Sequence, residues 1–237
     1  MEITPSIRRV GSDHVAAYLV VTDEGITAVD AGLPGFWKAL RRELAAIGAT
    51  PADIRGVVLT HGDVDHLGYA ERLRGEYQVP LYIHHADAER ALTGKKPSTP
   101  AGTFKPLRAI RFACYVLANG AWRDDHVKEV VEVKDGDVLP LPGAPVIVAV
   151  PGHSPGSVAV HVPAVDALFV GDAVTTRHQL SGEERVQVGA FAEDQESARV
   201  ALRRLAGIRA SWVLPGHGTP WHATPEEIAA TLRAAAH

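Results

Sequence analysis

A chain of 237 residues that is 46% hydrophobic can bury one sizeable core, and a net charge of −4 gives it none of the basic excess that nucleic-acid binders carry. Its one cysteine excludes an internal disulfide, and no run of about 18 apolar residues reads as a membrane span. The opening MEITPSIRRV lacks the apolar stretch of a secretory signal, so the expectation is a cytoplasmic protein without nucleic-acid or membrane partners.

Strands are expected over residues 3–10, 18–21 and 26–29, which are short and rich in β-branched side chains, with Asp23, Glu24 and Gly25 forming a turn between the second and third. Phe36, Leu40, Leu44 and Ile47 stand at helical spacing and predict a helix over 36–47. An apolar strand over 54–59 runs into THGDVDHLG (60–68). A helix over 69–74, a strand over 80–84 and a helix over 86–92 follow. This alternation signals a layered α/β domain. Residues 93–125 break it: Gly, Pro, Ser and Thr come first, then the apolar, basic helix PLRAIRFACYVLANGAW. They read as an insertion over one face of a single domain spanning 1–237. Strands resume at 127–133, 138–141, 146–150, 158–162 and 167–170. A helix over 194–206, a strand over 212–214 and a helix over 225–235 complete the chain. Two blocks of strands, each closed by helices, predict an α/β fold arranged as a four-layer αβ/βα sandwich.

Four segments share one property, that each begins where an apolar strand ends. They are THGDVDHLG (60–68), PGHSPGS (151–157), VGDAV (170–174) and LPGHG (214–218). Loops at strand ends are where such scaffolds present functional groups. Together they offer His61, Asp63, Asp65, His66, His153, Asp172 and His217. Imidazole nitrogens and carboxylate oxygens suit Zn, Fe or Mn, and the thiolates of a structural zinc finger are missing. The neighbouring glycines let the backbone turn tightly enough for side chains from separate strands to converge.

In this order and at these strand ends, the four segments resemble the metallo-β-lactamase superfamily, over essentially the whole chain. The resemblance implies the metallo-β-lactamase fold and a pair of divalent metal ions, with zinc the commonest in the family. The family pattern is HxHxDH followed by separate His, Asp and His. Carried over by position, His61, residue 63 and His153 hold the first ion, Asp65, His66 and His217 hold the second, and Asp172 bridges them. The implied activity is that of a dinuclear metallo-hydrolase. A metal-bridging hydroxide would cleave an ester, lactone, thioester or phosphoester-type bond in a small molecule, with Asp65 orienting the nucleophile and passing a proton to the leaving group. Family habit also implies a homodimer.

Position 63 departs from the pattern, with Asp in place of His. A harder oxygen ligand there is similar to the carboxylate of flavodiiron proteins and favours Fe or Mn. Three aspartates and a hydroxide offset the charge of two divalent ions, so the expected site is formally neutral and polarises a substrate less. The same residue keeps two other readings open: a metal-binding effector module with little or no turnover, and a diiron-type oxidoreductase-like site.

Around these ligands, Asp30 ends a strand and is expected to hold the metal loop through hydrogen bonds. His85, beside His84, and His178 are candidates to reach substrate. His14, His126, His161, His222 and His237 read as structural or surface groups. The insertion carries Lys95, Lys96, Lys105, Arg108, Arg111 and Arg123, interleaved with Phe104, Leu107, Ile110, Phe112, Tyr115 and Trp122. It reads either as a lid whose Arg108 and Arg111 favour an anionic or amphiphilic substrate, or as an amphipathic helix at a subunit interface. Acyl-homoserine lactonases of this family place Tyr three residues after the bridging Asp; Thr175 stands there instead and argues against that substrate.

Overall fold

Strand β1 (Glu2–Thr4), β2 (Ile7–Gly11), β3 (Ala16–Thr22) and β4 (Gly25–Val29) form an antiparallel meander. Helix α1 (Trp37–Ala45) carries the chain back, so β5 (Ile54–Val58) lies parallel to β4. Helices α2 (Val64–Leu67) and α3 (Ala70–Tyr77) lead to β6 (Leu81–His84), and α4 (His85–Thr93) and α5 (Pro106–Ala118) lead to β7 (Val131–Val133), both parallel additions. The result is a seven-stranded sheet in sequence order. Strands β8 (Val146–Ala149), β9 (Val158–Val162) and β10 (Ala167–Gly171) begin a second sheet, and β11 (Thr175–Arg177) and β12 (Glu184–Gln187) form a small hairpin of their own. Helix α6 (Gln195–Ala201) precedes β13 (Trp212–Pro215), which runs parallel to β10; β14 (Trp221–His222) and α7 (Pro225–Ala234) close the chain. The second sheet has the order β14-β13-β10-β9-β8. These elements are those of a computed structural model that describes residues 1–94, 104–122 and 126–234.

Side chains alternate along each strand, and the alternation sorts them into three buried cores. Leu19, Ala28 and Val57 pack with Leu40 and Leu44 of α1, Leu73 of α3 and Phe112 of α5. Their neighbours Tyr18, Val20, Val29 and Val58 turn the other way and meet Ile147, Val158, Val160, Phe169 and Leu214 of the second sheet. Ala159, Leu168 and Val213 point out of the far side and pack with Ala198 and Ala201 of α6 and Ile228 of α7. The layers are therefore helices, sheet, sheet, helices, as the block pattern predicts. Between the sheets the Tyr18 and Phe169 rings lie 5.4 Å apart, and the buried Tyr18 hydroxyl donates to the Pro215 carbonyl at 2.7 Å. That bond fixes the end of β13 against the first sheet, just before His217.

Where the elements differ from the sequence expectation, local chemistry explains it. The strand expected over 3–10 is broken by a turn at Pro5 and Ser6, because proline lacks the ladder donor and suits a turn. The strand expected over 138–141 reduces to one bridge, Val138 to Val146. Strands β11, β12 and β14 and helix α2 are too short to leave a periodic signal. Helix α5 turns Phe112 inward with Tyr115 and Val116 packed against the core, whereas Leu107, Ile110 and Leu117 are exposed. Lys95, Lys96, Arg123 and His237 lie outside the described residues. No helix among the described residues is long and apolar enough to cross a membrane.

Candidate metal centre

Parallel pairing sends the carboxyl ends of β4, β5, β10 and β13 to one edge of the sandwich, and the chain leaves each of them into a ligand-bearing loop. Asp30 follows β4, His61 and Asp63 follow β5, Asp172 follows β10 and His217 follows β13. His153 comes from the loop between β8 and β9, and the single turn of α2 carries Asp65 and His66. The loops approach so closely that Gly216 is required: a Cβ there would lie 2.5 Å from Asp172 Oδ1 and 2.7 Å from His66 Cε1.

All seven side chains converge. His153 Nε2 lies 3.3 Å from Asp63 Oδ2, and His61 Nε2 lies 3.7 Å from the same oxygen. His217 Nε2 lies 3.5 Å from Asp65 Oδ2. Asp172 sits between: its Oδ2 is 3.0 Å from His217 Nε2 and 4.0 Å from His153 Nε2, and its Oδ1 is 3.4 Å from His66 Nε2. Three overlapping sets can each hold a metal ion: His61, Asp63 and His153; His61, His66 and Asp172; and Asp65, His66 and His217. His61 Nε2, His66 Nε2 and Asp172 Oδ1 are buried and have no hydrogen-bond partner among the described residues. Leaving a buried polar atom unpaired costs about 1–3 kcal/mol, and a divalent cation would satisfy all three. The donor set thus fits divalent metal.

Groups behind the ligands fix their orientation. Asp30 has φ 61°, a left-handed backbone that Asp tolerates. One of its oxygens accepts from His66 Nδ1 at 2.8 Å, and the carboxylate also accepts from the Thr60 amide at 2.8 Å and the Thr60 hydroxyl. A proton held on Nδ1 leaves Nε2 of His66 free to ligate. His217 makes the same use of the His14 carbonyl, which accepts from its Nδ1. The buried Asp87 accepts from the Gly62 amide at 2.9 Å, the Gly156 amide at 2.8 Å and the Ser154 hydroxyl at 2.6 Å, tying the His61 and His153 loops together. Asp63 is paired as well: Arg90 Nη1 of α4 donates to its Oδ1 at 2.6 Å.

The electrostatics follow from this crowding. Burial favours the neutral form of Asp172, but His217 and His66 outweigh it and hold the carboxyl well below the usual range. Asp63 is likewise held low against its burial by His153, His61 and Arg90. Burial, with His66 and His153 adding to it, pushes His61 well below its ordinary value. His66 moves the other way: against burial, Asp30 and Asp172 raise it.

A cavity of about 140 Å³ opens onto the cluster, with Asp63, Asp65, Asp172 and His217 at its floor. Its wall is apolar: Phe112 and Val116 of α5, Ala121 just beyond, Val64 and Phe191. The four side chains expected to reach substrate lie outside this lining. His85 is exposed at the start of α4, its ring 4.4 Å from that of His84. His178 is buried, and its Nδ1 accepts from the amides of Leu180 and Ser181 in a tight turn. Arg108 and Arg111 are exposed, the stem of Arg108 lying beside Gly182. A guanidinium stays hydrated outside while the apolar stripe of the same helix is buried, so α5 offers the cavity aromatic and aliphatic groups in place of charge. Sequence reasoning missed Asp87, Arg90, Phe191 and the His14 carbonyl. The last contributes through backbone and leaves no signal in residue type.

The layers and the histidine–carboxylate cluster together define an αβ/βα sandwich with a metal-binding ligand set at its strand ends. The chain belongs to the metallo-beta-lactamase superfamily, whose family model matches residues 10–217. It is 28% identical over 204 residues to the probable metallo-hydrolase YflN of Bacillus subtilis, covering 81% of this chain and 75% of that one. It is 32% identical over 210 residues to protein Rv2581c of Mycobacterium tuberculosis, covering 85% and 84% respectively. Among solved structures it resembles a metallo-beta-lactamase of Cronobacter sakazakii (TM-score 0.69, 22% identity, 99% of this chain and 91% of that one). It also resembles the metallo-beta-lactamase family protein TTHA1429 of Thermus thermophilus (TM-score 0.68, 19% identity, 98% and 81%). At these identities the solved structures speak to the fold alone.

Proposed function

We propose that the protein is a dinuclear metallo-hydrolase that cleaves a carbonyl ester, thioester or lactone carrying an apolar group. The observation that carries this reading is the position of Asp172 between two ligand triads, His61–Asp63–His153 on one side and Asp65–His66–His217 on the other. Two divalent cations bound there would supply Lewis acidity, lowering the pKa of a water and offsetting charge on the attacked oxygen.

The chain's own groups supply the rest. Asp172 Oδ2 lies between His217 and His153 and accepts from Gln179 Nε2 at 3.2 Å, while its Oδ1 faces His66. Asp65 is the ligand-set carboxylate whose side chain stays partly exposed, and it borders the cavity. It is therefore placed to orient a nucleophile and to move a proton towards a leaving group. Phe112, Val116 and Phe191 exclude water and take the apolar part of the substrate. Among the described residues the lining holds no Lys or Arg, which ranks a carbonyl centre ahead of a phosphoester, whose anionic oxygens call for such partners.

The test is turnover of p-nitrophenyl esters of increasing acyl length, with thioester, lactone and phosphodiester panels, by zinc- and manganese-loaded protein. EDTA-sensitive hydrolysis that rises with acyl length is expected. Val116→Phe, which fills the cavity without touching a ligand, is expected to lower kcat/KM for the longer acyl groups by about tenfold while metal content stays unchanged. No turnover on any panel by metal-loaded protein would favour the effector-module reading instead.

A further inference from the structure

The pairing of Asp63 changes the meaning of its departure from the family pattern. Arg90 and Asp63 are 27 residues apart in sequence, yet both side chains are at least nine-tenths buried and meet at 2.6 Å. The space for Arg90 exists because residue 62 is glycine: a Cβ there would lie 2.8 Å from Arg90 Cγ. The other end of the guanidinium pairs through Nη2 with Glu193, a partly exposed residue just ahead of α6. Of the two Asp63 oxygens, Oδ1 is thus taken, and only Oδ2 faces His153 and His61.

We infer that Arg90 is the built-in countercharge of Asp63, so that the pair presents to a first-site cation a single ligand atom and the net charge of a histidine. This rests on the reading of Asp63 as a metal ligand. Two divalent ions carry four positive charges, and three aspartates with a hydroxide carry four negative ones; the buried guanidinium restores one positive charge. Counted over ions, ligands and Arg90, the site carries the charge it would have with histidine at position 63, less the solvent-screened part that the partly exposed Glu193 takes back. Arg90 is a positioning residue: it holds Asp63 in one orientation and weakens its pull on a cation. Glu193, on the far side of the guanidinium, tempers that effect. A buried charge of this kind stays only where it is paired, so Gly62, Asp63, Arg90 and Glu193 form one unit.

The test is a stepwise cobalt(II) titration of metal-free protein, followed by its visible absorption. The step belonging to the first site is the one that Asp63→Asn weakens. Arg90→Met removes the competing guanidinium and is expected to tighten that step by about tenfold or more, since a unit charge a few ångströms from a cation is poorly screened when buried. In the Asp63→Asn background the same change is expected to tighten the step by clearly less, because only the through-space repulsion between guanidinium and cation is then relieved. Glu193→Gln leaves the guanidinium uncompensated and is expected to loosen the step by about threefold, the opposite sign. Because Glu193 is partly exposed, that variant tests the idea even if Arg90→Met folds poorly. A first-site affinity within twofold of wild type in Glu193→Gln and in a folded Arg90→Met would overturn the assignment of Arg90 while leaving the metal reading intact. A wild-type protein that takes up no cobalt would overturn both.

Discussion

Asp172→Asn is expected to lower turnover by more than a hundredfold and to leave less than one tightly bound metal per chain. Loss of a group behind a ligand already costs about ten- to a hundredfold in affinity or activity, and Asp172 faces both halves of the cluster directly. Its Oδ2 lies 3.0 Å from His217 Nε2 on one side and 4.0 Å from His153 Nε2 on the other, and its Oδ1 lies 3.4 Å from His66 Nε2. Asparagine keeps the shape but replaces one oxygen by an NH2 group, which cannot ligate and turns its hydrogens towards a cation. It also removes the negative charge that helps raise His66 and His217, so both imidazoles lose a partner. Elemental analysis and a kinetic assay on the same preparation check the expectation, with circular dichroism to show that the fold is retained. Full metal content and near-wild-type turnover would show that Asp172 is not shared.

Asp30→Asn should weaken metal binding at the His66 side by about ten- to a hundredfold, through a side chain that contacts no candidate ion. Asparagine tolerates the left-handed backbone at position 30 as well as aspartate does, so the change adds no strain. It can still accept from the Thr60 amide and hydroxyl. It cannot both do so and accept from His66 Nδ1, where its NH2 would donate instead. The His66 proton then moves to Nε2, the atom aimed at Asp172, and blocks ligation. Asp30→Ala should lose as much metal and also fold less stably, because the buried Thr60 amide would go unpaired. Cobalt titration separates the two: equal affinity in wild type and Asp30→Asn would mean that the Asp30–His66 bond does not set the tautomer.

Much of this centre is legible in the sequence because each ligand announces itself. His61, His153, Asp172 and His217 sit beside glycines at the ends of apolar runs, and Asp30 ends a strand in the same manner. The layering is legible for a related reason: strands over 16–22, 25–29, 54–58, 158–162 and 167–171 are apolar enough to be buried on both faces. What the sequence hides is partnership at a distance. Arg90 sits in ADAERALTG, a segment that looks like an ordinary solvated helix, and only Gly62 and the bend of the metal loop reveal that it is buried against Asp63. The expectation of a formally neutral site follows from counting ligand charges alone and misses this one. Helix α5 shows the same limit. Its sequence carries both an Arg108–Arg111 pair and a Phe112–Val116 pair, and packing against the first core decides which pair faces the cavity. The hairpin of β11 and β12 is hidden more simply, since its strands of three and four residues leave no period to read.

The most direct measurement is metal content per chain, by elemental analysis of protein purified without added metal or chelator. A dinuclear centre in which Asp63 completes the first site predicts about two metals in wild type. It also predicts about one in Asp63→Asn, whose amide keeps an oxygen but loses the charge that Arg90 is paired to. A wild-type value of one or less, unchanged by Asp63→Asn, would contradict it and leave a single ion held by Asp65, His66 and His217.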